Sequence, residues 1–331
     1  MRRVDTILCA IKDPHRAPRA TLRKAAALAR ASGARVELFH AIADPVLTDV
    51  PRHARGGVSR SDAMREILTE RESRLQRMGR LAILHGVRSS VRVEWDFPAH
   101  EAIVRRAMAS KAALVVLESP RHLPGANLLL THSDWELIRT CPCPLLLARS
   151  PREYRRPIVL AAVDPRHAHD KPARLDRVIL ATATAVAKHL RGETHVAHAY
   201  LPPTAFVPTV PGDPLAAAWI PPSVFEAHRK QLAIALGRIA RAARIPAARQ
   251  HLVVGEPVRE LPSFARRLRA QIVVMGAVSR SGLKRLFVGH TAQQALRHMR
   301  CDVLIVKPKG FKAPVPRQSR NVGPVIGFTV Y

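Results

Sequence analysis

Three short motifs occur twice in this chain, in the same order. An apolar run closing on aspartate, Ile7 to Asp13, returns as Ile158 to Asp164. Leu114-Val-Val-Leu117 returns as Ile272-Val-Val-Met275, and the run from Cys141 to Ala148 returns as Cys301 to Val306. A repeat covering about half of 331 residues is the size of a domain, not of a solenoid module, so the chain reads as a tandem duplication in which each half buries its own core.

Within each half, short apolar runs alternate with longer amphipathic stretches. In the first, residues 19–32 form a helix with Leu22, Ala25, Ala26 and Ala29 on one face, stopped by Gly33. A long helix is expected from about Ser61 to near Gly86, and strands at 36–41, 91–95, 113–117 and 145–148. In the second half, Leu175, Val178, Ile179, Thr182 and Val186 are read as the inward face of the first helix, and further helices at 224–243 and 258–268 alternate with strands at 196–200 and 252–255. Alternation of this kind builds an α/β fold, a parallel sheet covered on both faces. The domains are expected at 1–152 and 153–309. Residues 310–331 show no period and are read as a tail, and the Pro-rich stretch 202–222 as a long loop of the kind that acts as a lid or binding surface.

The chemistry gathers between the last two strands of the second half, from Gln271 to Pro308. Gly276, Gly282 and Gly289 suit a loop whose backbone approaches a ligand closely, and the helix beginning near Thr291 would aim unpaired N–H groups at an anion. Ser279 adds a hydroxyl, and Arg280, Lys284 and Arg285 add positive charge. Spacing alone leaves a surface loop as good a reading.

The segment resembles the universal stress protein family, whose nucleotide-binding members carry Gly, two residues, Gly, nine residues, then Gly followed by Ser or Thr. Gly276 and Gly289 fill the first and third positions; Ser279 replaces the second glycine, His290 stands at the hydroxyl position, and Thr291 follows one place late. The stretches from Thr131 to Pro142 and from Val288 to Ala295 are similar to the tandem two-domain branch. The resemblance covers about residues 1–309. It implies two Rossmann-like, doubly wound domains of the adenine nucleotide alpha hydrolase type, each a five-stranded parallel sheet of order 3-2-1-4-5 with its ligand crevice at the carboxyl ends of the strands. It also implies an internal pseudo-dimer of the two halves, a homodimer being open.

By the resemblance, Asp164 contacts a nucleoside and residues 276–291 cradle its phosphates, so ATP, with Mg²⁺, is the cofactor to expect in the second half. The first half is expected to bind none. Glu118, Pro120 and Leu129 replace loop residues, and matching Thr131 to Thr291 makes that loop two residues shorter. Asp13 is then either the relic of Asp164 or a turn residue.

Composition excludes more than it selects. Four scattered cysteines make neither a disulfide framework nor a zinc site, and no metal ligand set is expected. No Ser-His-Asp or Cys-His arrangement and no Walker-type Lys-Ser/Thr appears, so no catalytic residue is assigned and the chain is read as non-enzymatic, with slow ATP hydrolysis left open. No run is long enough to span a membrane and no secretory signal is seen, which points to the cytoplasm. The formal charge of +29 would attract polyanions, but the arginines look dispersed and aromatic residues make up only 4%, so a solvated surface is favoured over nucleic-acid recognition. The leading expectation is a stress-response protein that binds a small anionic ligand and couples it to unknown protein partners. A nucleotide-free scaffold, or a lipid-like ligand held near Phe206 and Trp219, is the alternative.

Overall fold

The computed structural model describes residues 6–43, 60–119, 130–166, 175–203, 221–277, 290–319 and 325–330. The chain divides into two compact units, Met1–Arg155 with Gly310–Tyr331, and Arg156–Lys309.

In the first unit the elements run β1 (Thr6–Ala10), α1 (Arg19–Ser32), β2 (Arg35–Ile42), α2 (Arg60–Gly79), β3 (Ser89–Trp95), α3 (Ala99–Ala109), β4 (Leu114–Glu118), α4 (His132–Thr140) and β5 (Leu145–Ala148). Strands β3, β2, β1, β4 and β5 lie side by side in that order, all parallel, as expected. The central strand β1 is buried along its whole length, which is why it reads as a continuous apolar run. On β3 burial alternates: Val91, Val93 and Trp95 face the core, and the residues between them are half-buried. α1 buries Leu22, Ala25, Ala26 and Ala29 and ends at Gly33, whose φ of 73° lies in the left-handed region that glycine reaches without a Cβ clash. α2 stops at Gly79, short of Gly86; the chain tightens there, Leu81 N–H bonding to Met78 O, and turns through a 3-10 segment at Ala82–Leu84.

The second unit repeats the plan: β6 (Ile158–Ala162), α5 (Leu175–His189), β7 (Glu193–Tyr200), α6 (Pro222–Ala242), β8 (Gln250–Val254), α7 (Pro257–Arg267), β9 (Ile272–Gly276), α8 (His290–His298) and β10 (Asp302–Val306). Its strands lie in the order β8, β7, β6, β9, β10, again all parallel. The buried face of α5 is Leu175, Ile179, Ala183 and Ala187, with Leu180 beside it, while Val178, Thr182 and Val186 are only half-buried. The sequence stripe was therefore off by part of a turn. Gly276 sets the observed one: a Cβ there would stand 2.5 Å from Leu175 Cδ2 and 3.4 Å from Ile179 Cδ1, so a bare backbone lets this face of α5 settle on β9.

Residues 310–331 are not the free tail that their lack of period suggested. A further strand, β11 (Val325–Val330), pairs antiparallel with β3, from Val325 opposite Glu94 to Val330 opposite Ser89. Among the described residues the first unit thus has six strands side by side, and its β3 edge is closed by hydrogen bonds instead of being left open to another chain. A second tie lies just upstream, where Ser319 Oγ donates to Asp96 Oδ1 at 2.6 Å. Asp96 also takes a bidentate pair from Arg105 at 2.7 and 2.8 Å, and both side chains are buried. Period-based reading fails here because a single six-residue edge strand containing Gly327 carries too little alternation to stand out.

Candidate ligand site

Chain order reverses at β6: β7 lies on one side and β9 on the other, so the carboxyl end of β6 opens into the crevice typical of such sheets. Asp164 sits there, two residues beyond β6 and 4% exposed. Its backbone N–H donates to Asp176 Oδ1 at 3.2 Å, in the first turn of α5, which fixes where the chain leaves the strand. Neither carboxylate oxygen of Asp164 has a hydrogen-bond partner among the described residues. His198 Nδ1 is 4.0 Å from Oδ1, but that nitrogen is 3.1 Å from the carbonyl oxygen of Val163, to which it donates. Aromatic rings continue from it: His198 stacks on Tyr200 at 6.2 Å between centroids, and Tyr200 meets His228 at 5.6 Å. A buried carboxylate with open acceptor positions beside planar rings can receive hydroxyl or amino donors from a small molecule.

Of the other expected site residues, Gly276 ends β9 beside this crevice, but its backbone is not left-handed; its bareness serves the approach of α5. Ser279, Gly282 and Gly289 lie outside the described residues, as do Arg280, Lys284, Arg285, Phe206 and Trp219. His290 and Thr291 open α8. Among the described residues no group of three His, Cys, Asp or Glu side chains could hold a metal ion. Cys141 and Cys143 form no disulfide, their sulfurs lying 3.7 Å apart.

The strand registers correct the match between the halves. Ile7 lies opposite Leu114 and Val159 opposite Ile272, so Ile7 corresponds to Val159, and, counting on, Lys12 to Asp164. Two histidines confirm it, His40 reaching Ile11 O at 2.8 Å as His198 reaches Val163 O. Matching Asp13 to Asp164 was one residue out, and in extended chain one residue turns a side chain to the other face. Asp13 is exposed, and its Oδ1 accepts the His15 N–H at 2.8 Å, the turn reading of the two left open. Nor is the first loop shorter, since Leu114 to His132 spans the same interval as Ile272 to His290. Thr131, not Leu129, then corresponds to Gly289.

In the first unit the position matching Asp164 thus carries a lysine that is paired within the unit. Lys12 Nζ pairs at 2.5 Å with Asp134 Oδ1, a fully buried carboxylate. Asp134 lies in the first turn of α4 and closes a capping box, its N–H on Thr131 Oγ1 at 3.2 Å and its Oδ2 on the Thr131 N–H at 3.1 Å. An anion belongs at a helix N-terminus, and here the chain supplies it. The sequence signal was present in Lys12 and the Thr131-x-x-Asp134 pattern, but aligning the two aspartates hid it.

The universal stress protein family model matches residues 3–149 and again 158–307, one match per unit. This chain belongs to the universal stress protein family. It is 27% identical over 314 residues to universal stress protein E of Escherichia coli K12, covering 92% of this chain and 94% of that one. With universal stress protein E of Photorhabdus laumondii it shares 26% over 316 residues, 93% and 96% of the two chains. Among solved structures, a putative universal stress protein from Pseudomonas aeruginosa UCBPP-PA14 aligns with TM-score 0.64 at 22% identity, over 92% of this chain and 94% of that one. One from Archaeoglobus fulgidus aligns at 0.57 and 15%, over 92% and 99%. These likenesses establish a tandem universal stress protein of Rossmann-like fold. No helix among the described residues is long and apolar enough to cross a membrane.

Proposed function

We propose that this tandem universal stress protein acts in the stress response as a non-catalytic binder of an adenine nucleotide, held in the second unit only. The observation that carries the reading is Asp164, a buried carboxylate whose oxygens find no hydrogen-bond donor among the described residues. Leaving such a group unsatisfied costs about 1–3 kcal/mol or more, a cost that ribose hydroxyls or an amino group on a bound ligand would offset. The first unit supports the asymmetry: Lys12 replaces that carboxylate, and Asp134 already occupies the helix N-terminus where a phosphate would sit. ATP is the ligand that the family resemblance of residues 276–291 implies. Mg²⁺ would enter with the phosphates, since no protein ligand set for it is described.

Asp164→Asn tests this with two opposed readouts. Removing a buried unpaired charge should stabilise the ligand-free protein by about 1 kcal/mol or more, while weakening ATP binding in equilibrium titration at least about tenfold. If the variant binds ATP as the parent does, or if neither protein binds ATP and none co-purifies in native mass spectrometry, the reading fails. Phosphate release that survives purification and disappears in Asp164→Asn would replace it with an enzymatic one.

A further inference from the structure

The sequence scatters its arginines, but the fold collects some of them. All five strands of the second unit are parallel, so the turns that lead into them share one edge of the sheet. An arginine stands in each of these turns: Arg156 before β6, Arg191 before β7, Arg244 before β8, Arg269 before β9 and Arg300 before β10. All five are exposed, and none is in an ion pair among the described residues, although Arg249 and Arg259 of the same unit are. With strands about 4.8 Å apart, the row extends about 19 Å.

Four of the five hold left-handed backbone, φ being 46° at Arg156, 53° at Arg191, 57° at Arg244 and 57° at Arg269. An L-residue pays about 1–2 kcal/mol for that conformation. The first unit uses glycine at φ of 73° after α1 (Gly33) and after the 3-10 segment that follows α2 (Gly86), and a left-handed basic residue only at Lys111, φ 50°, before β4. Basic residues at helix C-termini are ordinarily explained by the helix dipole, worth about 0.3–1 kcal/mol. That accounts neither for Arg156, which follows no helix, nor for arginine at positions where glycine is relaxed.

This edge lies at the opposite end of the strands from Asp164. We propose that it binds the phosphate backbone of duplex nucleic acid, a function separate from the nucleotide site. A membrane surface fits less well, because the exposed large apolar residues of this unit lie elsewhere: Leu201 and Val254 at the carboxyl ends of β7 and β8, Val224 in the first turn of α6 and Ile234 midway along it. Single strands fit less well too, since no Phe, Tyr or Trp ring of the described second unit is exposed for bases to stack on.

The test is fluorescence anisotropy of the full chain with a random-sequence duplex of about 20 base pairs, between about 50 and 200 mM NaCl. Five phosphate contacts predict a slope near about −4.5 in log affinity against log salt, or about 500-fold over that range. The double variant R191G/R244G places glycine at two left-handed positions, where it relaxes the backbone, and at 191 restores the residue type of the matching first-unit turn, Gly33, so folding is not at risk. It should weaken binding about tenfold at 100 mM and flatten the slope by about 1.8. R229A/K230A removes the same charge from the exposed first half of α6 and should leave the slope within about 0.5 of the parent. Equal effects of the two double variants would mean attraction by net charge alone and overturn the proposal. So would undetectable binding at 50 mM, or tighter binding to vesicles containing anionic phosphatidylglycerol than to the duplex.

Discussion

Replacing Asp96 with alanine should unlatch the C-terminal segment from the first unit at a cost that can be worked from its contacts. Asp96 and Arg105 are 5% and 8% exposed at their side chains and share two short hydrogen bonds. Removing one member of a buried pair typically costs about 3–5 kcal/mol, because the other charge stays buried. Arg105 keeps one bond to Glu101 Oε2 at 2.9 Å, and that carboxylate is 32% exposed, so water can approach and the lower end, about 3 kcal/mol, is expected. Ser319→Ala alone removes one hydrogen bond to a charged group and should cost about 1.5 kcal/mol. In the Asp96→Ala background the same change should cost about 1.5 kcal/mol less, a coupling between positions far apart in the chain. Urea unfolding followed by tryptophan emission, to which Trp95 and Trp135 of this unit contribute, gives the energies. Hydrogen exchange gives the location: amides of Val325–Val330 should lose protection in Asp96→Ala before those of β1 do. Strictly additive costs for the two substitutions, or β11 amides as protected as before, would refute the latch.

Gly276→Ala drives a Cβ to 2.5 Å from Leu175 Cδ2 and should cost about 1–3 kcal/mol by overpacking, of which Leu175→Ala in the same chain should restore a part. If Gly276 matters only to a ligand, the single variant will unfold like the parent. His40, His100, His195 and His251 are all held below their ordinary 6.5, chiefly by burial. The unfolded chain therefore takes up protons first, so stability is full above about 6.5 and falls as pH drops through the lower folded values. His195 Nδ1 lies 3.0 Å from His251 Nε2, so His195→Gln/His251→Gln should flatten part of that acid-side loss in urea titrations at pH 7.5 and 5.5. Burial, with Glu118 adding to it, pushes Cys9 up to about 12, so in native protein at pH 8 a disulfide reagent should leave this thiol unmodified until denaturant is added.

Strand and helix identities were largely legible because they rest on period and length: β1, β4, β6 and β9 are short apolar runs, and a sheet of such runs separated by amphipathic helices has few arrangements open to it. Where reading failed, the deciding fact was long-range. The face of α5 was misjudged by part of a turn because the glycine that admits Leu175 lies about a hundred residues downstream. Lys12 was passed over because identical aspartates at 13 and 164 invite alignment, whereas only hydrogen-bond register distinguishes a residue from its neighbour on the opposite face. The arginine row was invisible because its members are far apart in sequence, and only the parallel sheet places them on one edge.

The closing of the first sheet by β11 also has a consequence in time. β3 ends at residue 95 and its last partner begins at 325, with the whole second unit translated between them. At roughly 5–20 residues per second, a ribosome takes roughly ten to fifty seconds to cover that interval, during which β3, paired with β2 on one side, presents an open outer edge in a nascent chain. The first unit is therefore begun first and finished last. Chaperone dependence during synthesis should fall on the half that emerges earlier, against the usual order in which an N-terminal domain is complete before the next begins.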